Sequence, residues 1–156
     1  MVTMKDKEDA MVSGSQDVRE GAAGAGARRL GRALAVAAAV LAAVVVWLVA
    51  RTVFDQDLAV RQPGRGATEV DIVPVLVFAI VPSLAGWALL AALERFAAAR
   101  ARTVWTVVAV AVLLLSFTPI LQVQATGATK AVLALMHVVV GAALILGFWR
   151  TARGPR

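Results

Sequence analysis

Four long stretches without a charged side chain dominate the chain. They cover residues 33–50, 72–93, 103–121 and 131–149, with charged or polar segments between them. Each has 18 residues or more, and a helix of that length crosses the ~30 Å hydrocarbon core of a bilayer. A soluble core would need amphipathic surfaces, which these stretches lack. The chain is 60% hydrophobic, against about 45–50% in soluble domains, so we predict a membrane protein with four spans.

The predicted fold class is all-α, a four-helix transmembrane bundle over residues 29–150. The spans are expected at about 31–53, 72–94, 103–121 and 129–149. Residues 1–28 are polar and rich in glycine and alanine, a composition that predicts a disordered cytoplasmic tail. Residues 151–156 form a second cytoplasmic tail. The first apolar stretch exceeds the 7–15 residues of a signal-peptide core, which favours a retained helix over a cleaved signal.

Basic residues predict the orientation of the bundle. With both termini in the cytoplasm, the inner flanks carry nine arginines: Arg28, Arg29, Arg32, Arg95, Arg100, Arg102, Arg150, Arg153 and Arg156. The outer loops then carry four basic residues: Arg51, Arg61, Arg65 and Lys130. This bias favours an orientation with both the N-terminus and the C-terminus in the cytoplasm. The net charge of +6 lies mostly beside the apolar stretches, where it meets lipid headgroups, and no nucleic-acid partner is expected.

Small residues mark the faces on which the helices are expected to pack. Ala79 and Gly86 share one face of the second span, and Ala134 and Gly141 share one face of the fourth. Such residues let neighbouring transmembrane helices approach closely. Pro82 lies in the middle of the second span, where it removes a helical hydrogen bond and predicts a kink.

One histidine and three hydroxyl groups lie inside the predicted spans. His137 is the only histidine of the chain, at a depth on the order of 10 Å below the outer end of its helix. Ser83, Ser116 and Thr118 fall at similar depths, so the four side chains form a candidate intramembrane polar cluster. Two interpretations stay open. A hydroxyl satisfies a neutral histidine that serves packing, or His137 serves a ligand, a proton or a haem.

The sequence offers no set of residues for catalysis or metal binding. It has no cysteine, and no nucleophile, base and orienting group recur together. Asp55 and Asp57 form a single carboxylate pair in the 51–71 loop, too few ligands for a cation site. Met136 lies on a different helical face from His137, so it is not a second haem ligand. We therefore expect no enzyme activity, no metal and no cofactor.

Three short segments resemble a known family. They are the Met-His-Val-Val-Val-Gly-Ala run at 136–142, Ala-Gly-Trp at 85–87 leading to Leu-Glu-Arg at 93–95, and Val-Trp-Thr at 104–106 after an arginine-rich turn. The chain resembles a domain-of-unknown-function family of small four-helix membrane proteins typical of actinobacteria. The resemblance covers residues 29–150. It implies four spans in a bacterial plasma membrane and assigns no activity.

Two functions follow as expectations. The first is a small structural or accessory membrane protein, whose partners are the lipid bilayer and a membrane protein or further copies of itself. The alternative is a small transporter or ligand-binding protein that uses a polar pocket around His137. A water-lined cavity near Pro82 and His137 favours the alternative, and a dry, close-packed core there favours the first.

Overall fold

The computed structural model describes residues 4–53, 58–61 and 67–152. The elements in chain order are α1 (Met4–Thr52), β1 (Ala59–Arg61), β2 (Ala67–Glu69), α2 (Ile72–Phe96), α3 (Ala101–Leu115), α4 (Phe117–Gln122) and α5 (Gly127–Thr151). Four helical spans, Gly21–Thr52, Ile72–Phe96, Ala101–Gln122 and Gly127–Thr151, are long and apolar enough to cross a membrane. The predicted all-α bundle of four transmembrane helices is confirmed.

The four spans form a ring. Helix α1 packs on α2 and α5, and α3 packs on the other side of the same two helices. Because there are four spans, both termini of the bundle lie on one side, and the side on which they lie stays a prediction. We call the end that carries Arg32, Glu94 and Thr151 the inner end, and the opposite end the outer end.

Helix α1 begins well before its membrane span. Residues 4–28, for which the sequence predicts disorder, continue the helix towards the N-terminus. The described side chains from Met4 to Ala23 are exposed, so packing against the bundle does not support this extension. The segment also contains four glycines, which disfavour a helix, so local propensity does not explain the extension either.

The third span is interrupted at Ser116, between α3 and α4. Pro119 has no N–H group and cannot bond to the carbonyl of Leu115, which lies four residues earlier. The Ser116 hydroxyl donates to the Leu113 carbonyl at 2.6 Å. Helix α2, in contrast, stays helical through Pro82, and the next residue, Ser83, donates to the Ala79 carbonyl at 2.6 Å.

A short antiparallel hairpin of β1 and β2 closes the outer end between α1 and α2. Ala59 pairs with Glu69, and Arg61 forms a further bridge with Gln124 in the connection between α4 and α5. Leu58, just before β1, is fully buried. The hairpin therefore belongs to the packed structure, although its turn at residues 62–66 lies outside the described residues.

Two clusters of buried side chains hold the helices together. The inner cluster contains Ala35, Leu90, Trp105 and Phe148. The outer cluster contains Ala43, Val75, Ala79 and Met136. Alanine at several of these positions lets the helices approach closely enough for van der Waals packing, which drives helix association in lipid.

Candidate functional site

A cleft of about 740 Å³ lies between α2, the α3–α4 span and α5. We call it the lateral cleft. Helix α5 forms its floor with Leu133, Met136, His137, Val140, Gly141 and Leu144. These floor residues are buried or half-buried, so the cleft reaches into the bundle and is not a shallow surface depression.

The walls of the lateral cleft are two apolar stripes on α2 and α3. Phe78, Pro82 and Ala85 follow one another at helical spacing on α2, and Val108 and Val112 face them from α3. All five are exposed, with Phe78 at 78% and Val112 at 55%. The gap between α2 and α3 is therefore the mouth of the cleft, and it faces the lipid.

Aromatic packing closes the inner end of the cleft. The Trp105 indole N–H donates to the Gly86 carbonyl at 2.8 Å, which ties α3 to α2. The Trp105 and Phe148 rings lie 5.3 Å apart at 52°. An indole that is both packed and hydrogen-bonded is held in place, and Trp105 is 3% exposed. It forms a rigid inner wall.

The hairpin closes the outer end. Val60, Glu69 and Val70 line the cleft there. The Trp47 indole N–H on α1 donates to the Val70 carbonyl at 2.8 Å, and the Val70 N–H donates to the Leu58 carbonyl at 2.9 Å. These bonds attach the outer wall to the first helix, so the cleft is bounded at both ends and open mainly at its side.

Two members of the predicted polar cluster meet in the lateral cleft, His137 and Ser116. His137 Nδ1 lies 2.7 Å from the Leu133 carbonyl oxygen of its own helix, and its ring centroid lies 6.2 Å from that of Phe117. Ser116 is also bonded within its own span, to Leu113. The two side chains share a cavity and make no hydrogen bond to each other.

The other two members lie elsewhere. Ser83 is fully buried, donates to the Ala79 carbonyl and is not among the residues that line the cleft. Thr118 is exposed and does not line the cleft either. Depth along the bilayer thus brings four polar residues to one level, whereas the rotation of each helix separates them into different environments.

The small residues predicted for packing have different surroundings. A Cβ on Gly141 would lie 2.8 Å from both Leu113 methyl groups, and one on Gly86 would make ordinary contacts, the nearest at 3.7 Å from Phe148. Ala79 is buried in the outer cluster. Ala134 is half-buried.

The tightest helix contact involves a glycine that sequence reasoning missed. A Cβ on Gly147 would lie 2.4 Å from Ala35 Cβ, and one on Gly31 would lie 2.7 Å from Thr151 Cγ2. Both contacts join α1 to α5. Gly147 follows Gly141 by six residues and lies about 120° away around the helix, so the face that Ala134 and Gly141 share gave no signal for it.

The sequence analysis also did not identify a buried ion pair at the inner end of the bundle. Arg32 Nη2 lies 2.6 Å from Glu94 Oε1, with the side chains 6% and 10% exposed. The same nitrogen donates to the Thr151 carbonyl at 3.2 Å, so one guanidinium joins α1, α2 and α5. Arg32 Nε is buried and has no hydrogen-bond partner in the described part of the chain. We call this contact the inner ion pair.

The described residues contain no group of three His, Cys, Asp or Glu side chains arranged for a metal ion. Asp55 and Asp57, the carboxylate pair considered from the sequence, lie outside the described residues. Met136 and His137 both line the cleft, but Met136 is 7% exposed and also packs in the outer cluster, whereas the His137 side chain is half-buried.

The fold and the cleft define a four-span helical membrane protein with a lipid-facing apolar cleft. No curated protein and no solved structure matches the chain. The sequence model of the family of unknown function DUF6069 matches residues 23–154. The chain belongs to this family, and the resemblance drawn from the sequence to a family without known activity is confirmed.

Proposed function

We propose that the protein is a non-catalytic protein of the bacterial plasma membrane that binds an apolar molecule from the bilayer in the lateral cleft. One observation carries the proposal. The cleft has a volume of about 740 Å³, and its lining is apolar except at Glu69, Trp105, Ser116 and His137. Sites for small molecules have volumes of ~300–1,000 Å³ and mostly apolar walls.

The position of the mouth supports entry from the lipid phase. Phe78 and Val112 flank the gap between α2 and α3 and are largely exposed. Both lie inside helices that are long and apolar enough to span the membrane. A molecule dissolved among lipid tails therefore reaches the cleft without crossing a polar surface.

The dimensions favour a slender molecule over a helix of a partner protein. Along α2 the lining extends from Pro74 to Leu89, which is about 22 Å at the rise of an α-helix. That length is shorter than the ~30 Å that a transmembrane helix of a partner needs to cross the bilayer core. Trp105 and the hairpin also close the two ends, whereas a partner helix continues through the whole bilayer.

The polar groups favour binding over reaction or passage of a polar solute. Within the described chain, His137 and Ser116 each bond to a carbonyl of their own span and not to each other. A general base acts on a proton only within hydrogen-bond reach of it. The apolar walls also give a polar solute no replacement for its water shell.

The proposal is tested by binding of tritiated hexadecanol to the purified protein in detergent micelles. The wild-type protein should bind it saturably with one molecule per chain. Ala85→Trp places a large ring into the cleft and should lower the affinity by about tenfold or more, a loss of ~1.4 kcal/mol. The matched control is Ala88→Trp, because Ala88 lies on the same helix, is exposed and does not line the cleft.

An accessory protein that only packs against a partner or another copy of itself is the competing proposal. It predicts no saturable hexadecanol binding by the wild-type protein. Equal effects of Ala85→Trp and Ala88→Trp on binding would also contradict occupation of the lateral cleft. Circular dichroism and gel filtration of both variants establish that they keep the wild-type helix content and size.

A further inference from the structure

We propose that the ligand of the lateral cleft carries a hydroxyl group, which donates a hydrogen bond to His137 Nε2. This inference rests on the proposed function and narrows its ligand class. It follows from the hydrogen-bond donors and acceptors that the cleft presents. An apolar molecule with a single polar group needs one complementary partner within an otherwise apolar site.

The proton of His137 is assigned by its backbone contact. The Leu133 carbonyl oxygen can only accept a hydrogen bond, so Nδ1, at 2.7 Å from it, is the donor. An imidazole with one ring proton then has a free lone pair on Nε2.

The described donors that line the cleft are already used. Trp105 donates to the Gly86 carbonyl, Ser116 to the Leu113 carbonyl and His137 Nδ1 to the Leu133 carbonyl. No described residue donates to Nε2. The cleft therefore offers acceptors and no free side-chain donor, which matches a hydroxyl group and does not match a ketone, an ester or an ether.

The acceptor is also held in place. The Nδ1 bond fixes the imidazole to its own helix, and the Phe117 ring lies beside it at 6.2 Å. His137 is ten residues from the start of α5, so the bound hydroxyl lies about 15 Å along the helix from its outer end. Water is scarce at that depth, and a hydroxyl without a partner there is strongly disfavoured.

The experiment compares hexadecanol with hexadecyl methyl ether, which has the same chain and no O–H group. Wild-type protein should bind the alcohol about tenfold more tightly. His137→Leu should bind both with equal affinity, whereas His137→Gln, which keeps an acceptor oxygen, should retain part of the preference. Thr118→Val removes a hydroxyl of the same span that is exposed and does not line the cleft, so it should retain the full preference and serves as the matched control.

The outcomes separate this inference from the proposed function. Equal binding of alcohol and ether by the wild-type protein, both lost in Ala85→Trp, overturns the hydroxyl assignment and leaves the cleft as a binding site. A preference that persists in His137→Leu also overturns it. The wild-type comparison decides the question even where the leucine variant does not fold. If neither ligand shows binding that Ala85→Trp weakens, the proposed function itself is overturned.

The natural ligand that carries the hydroxyl group is either a long-chain alcohol or a two-chain lipid alcohol, and the same assay distinguishes them. Unlabelled dioleoylglycerol, a two-chain lipid alcohol, and unlabelled hexadecanol compete separately for the site. Competition by the single-chain alcohol alone assigns the site to long-chain alcohols, and competition by dioleoylglycerol extends it to lipid alcohols. Either result supports a hydroxyl ligand, provided that the ether competes about tenfold less well.

Discussion

Replacing Arg32 with methionine is expected to destabilise the bundle by about 3 kcal/mol, because it removes the guanidinium from a buried carboxylate. Arg32 and Glu94 are 6% and 10% exposed as side chains and approach to 2.6 Å. Glu94 then keeps its charge at the inner end of α2 without its arginine. Glu94→Leu leaves the opposite charge behind and should cost a similar amount.

The magnitude follows from the geometry of the inner ion pair. Removing one partner of a buried ion pair costs ~3–5 kcal/mol, whereas replacing both with apolar residues is often close to neutral. We expect the lower end of that range, because a single nitrogen of Arg32 makes both contacts and Nε has no hydrogen-bond partner among the described residues. The double variant should therefore be more stable than either single variant, with a coupling energy of at least ~2 kcal/mol.

These free energies of unfolding are measured by equilibrium unfolding in increasing mole fractions of sodium dodecyl sulfate. Tryptophan fluorescence reports the folded fraction. Arg95→Met is the control, because Arg95 is exposed and its change should cost less than ~0.5 kcal/mol. If the two single changes are additive within ~0.5 kcal/mol, Arg32 and Glu94 do not interact in the membrane, and the reasoning is refuted.

Two further predictions concern packing and orientation. Gly147→Ala should destabilise the protein by ~1–3 kcal/mol in the same unfolding assay, since the added Cβ would clash with Ala35. Gly127→Ala is the control: its Cβ would meet no described atom within 4 Å, so this change should be neutral or stabilising. Equal effects of the two changes would contradict the close contact. The chain has no cysteine, so an impermeant maleimide applied to whole cells should label Ala128→Cys and spare Ser13→Cys, and the reverse pattern would contradict cytoplasmic termini.

The spans were predictable because bilayer thickness fixes how many apolar residues a helix needs. The break at Ser116 was only partly predictable. Pro119 indicates which carbonyl loses its partner, but not whether the helix bends or stops. Pro82 has the same chemistry, and α2 continues through it.

The inner ion pair shows what a linear sequence leaves open. Glu94 has a basic neighbour in Arg95, which made a local pair as reasonable as a distant one. Arg95 is exposed. Arg32 on α1 is 5% exposed and forms an ion pair with Glu94 on α2. The choice depends on which arginine faces the interior, and that is set by packing between spans.

The sequence predicts how deep each polar residue of the candidate site lies in the bilayer, but not which way its side chain points. The rise per residue places Ser83, Ser116 and His137 at similar levels. Each residue also turns the helix by about 100°, and no local pattern fixes how a whole helix is rotated against its neighbours. Ser83 is fully buried on α2, whereas His137 and Ser116 line the lateral cleft.

The contact between the first and last helices has a consequence for biosynthesis. Gly31 and Ala35 pack against Thr151 and Gly147, which follow them by 120 and 112 residues in the chain. At ~5–20 residues per second, a ribosome takes about 6–24 s to make that interval. During this time α1 resides in the bilayer without its main packing partner, and Arg32 meets Glu94 before Thr151 exists. The bundle therefore closes late, when α5 inserts, and until then insertion factors or surrounding lipid must cover the glycine-and-alanine face of α1.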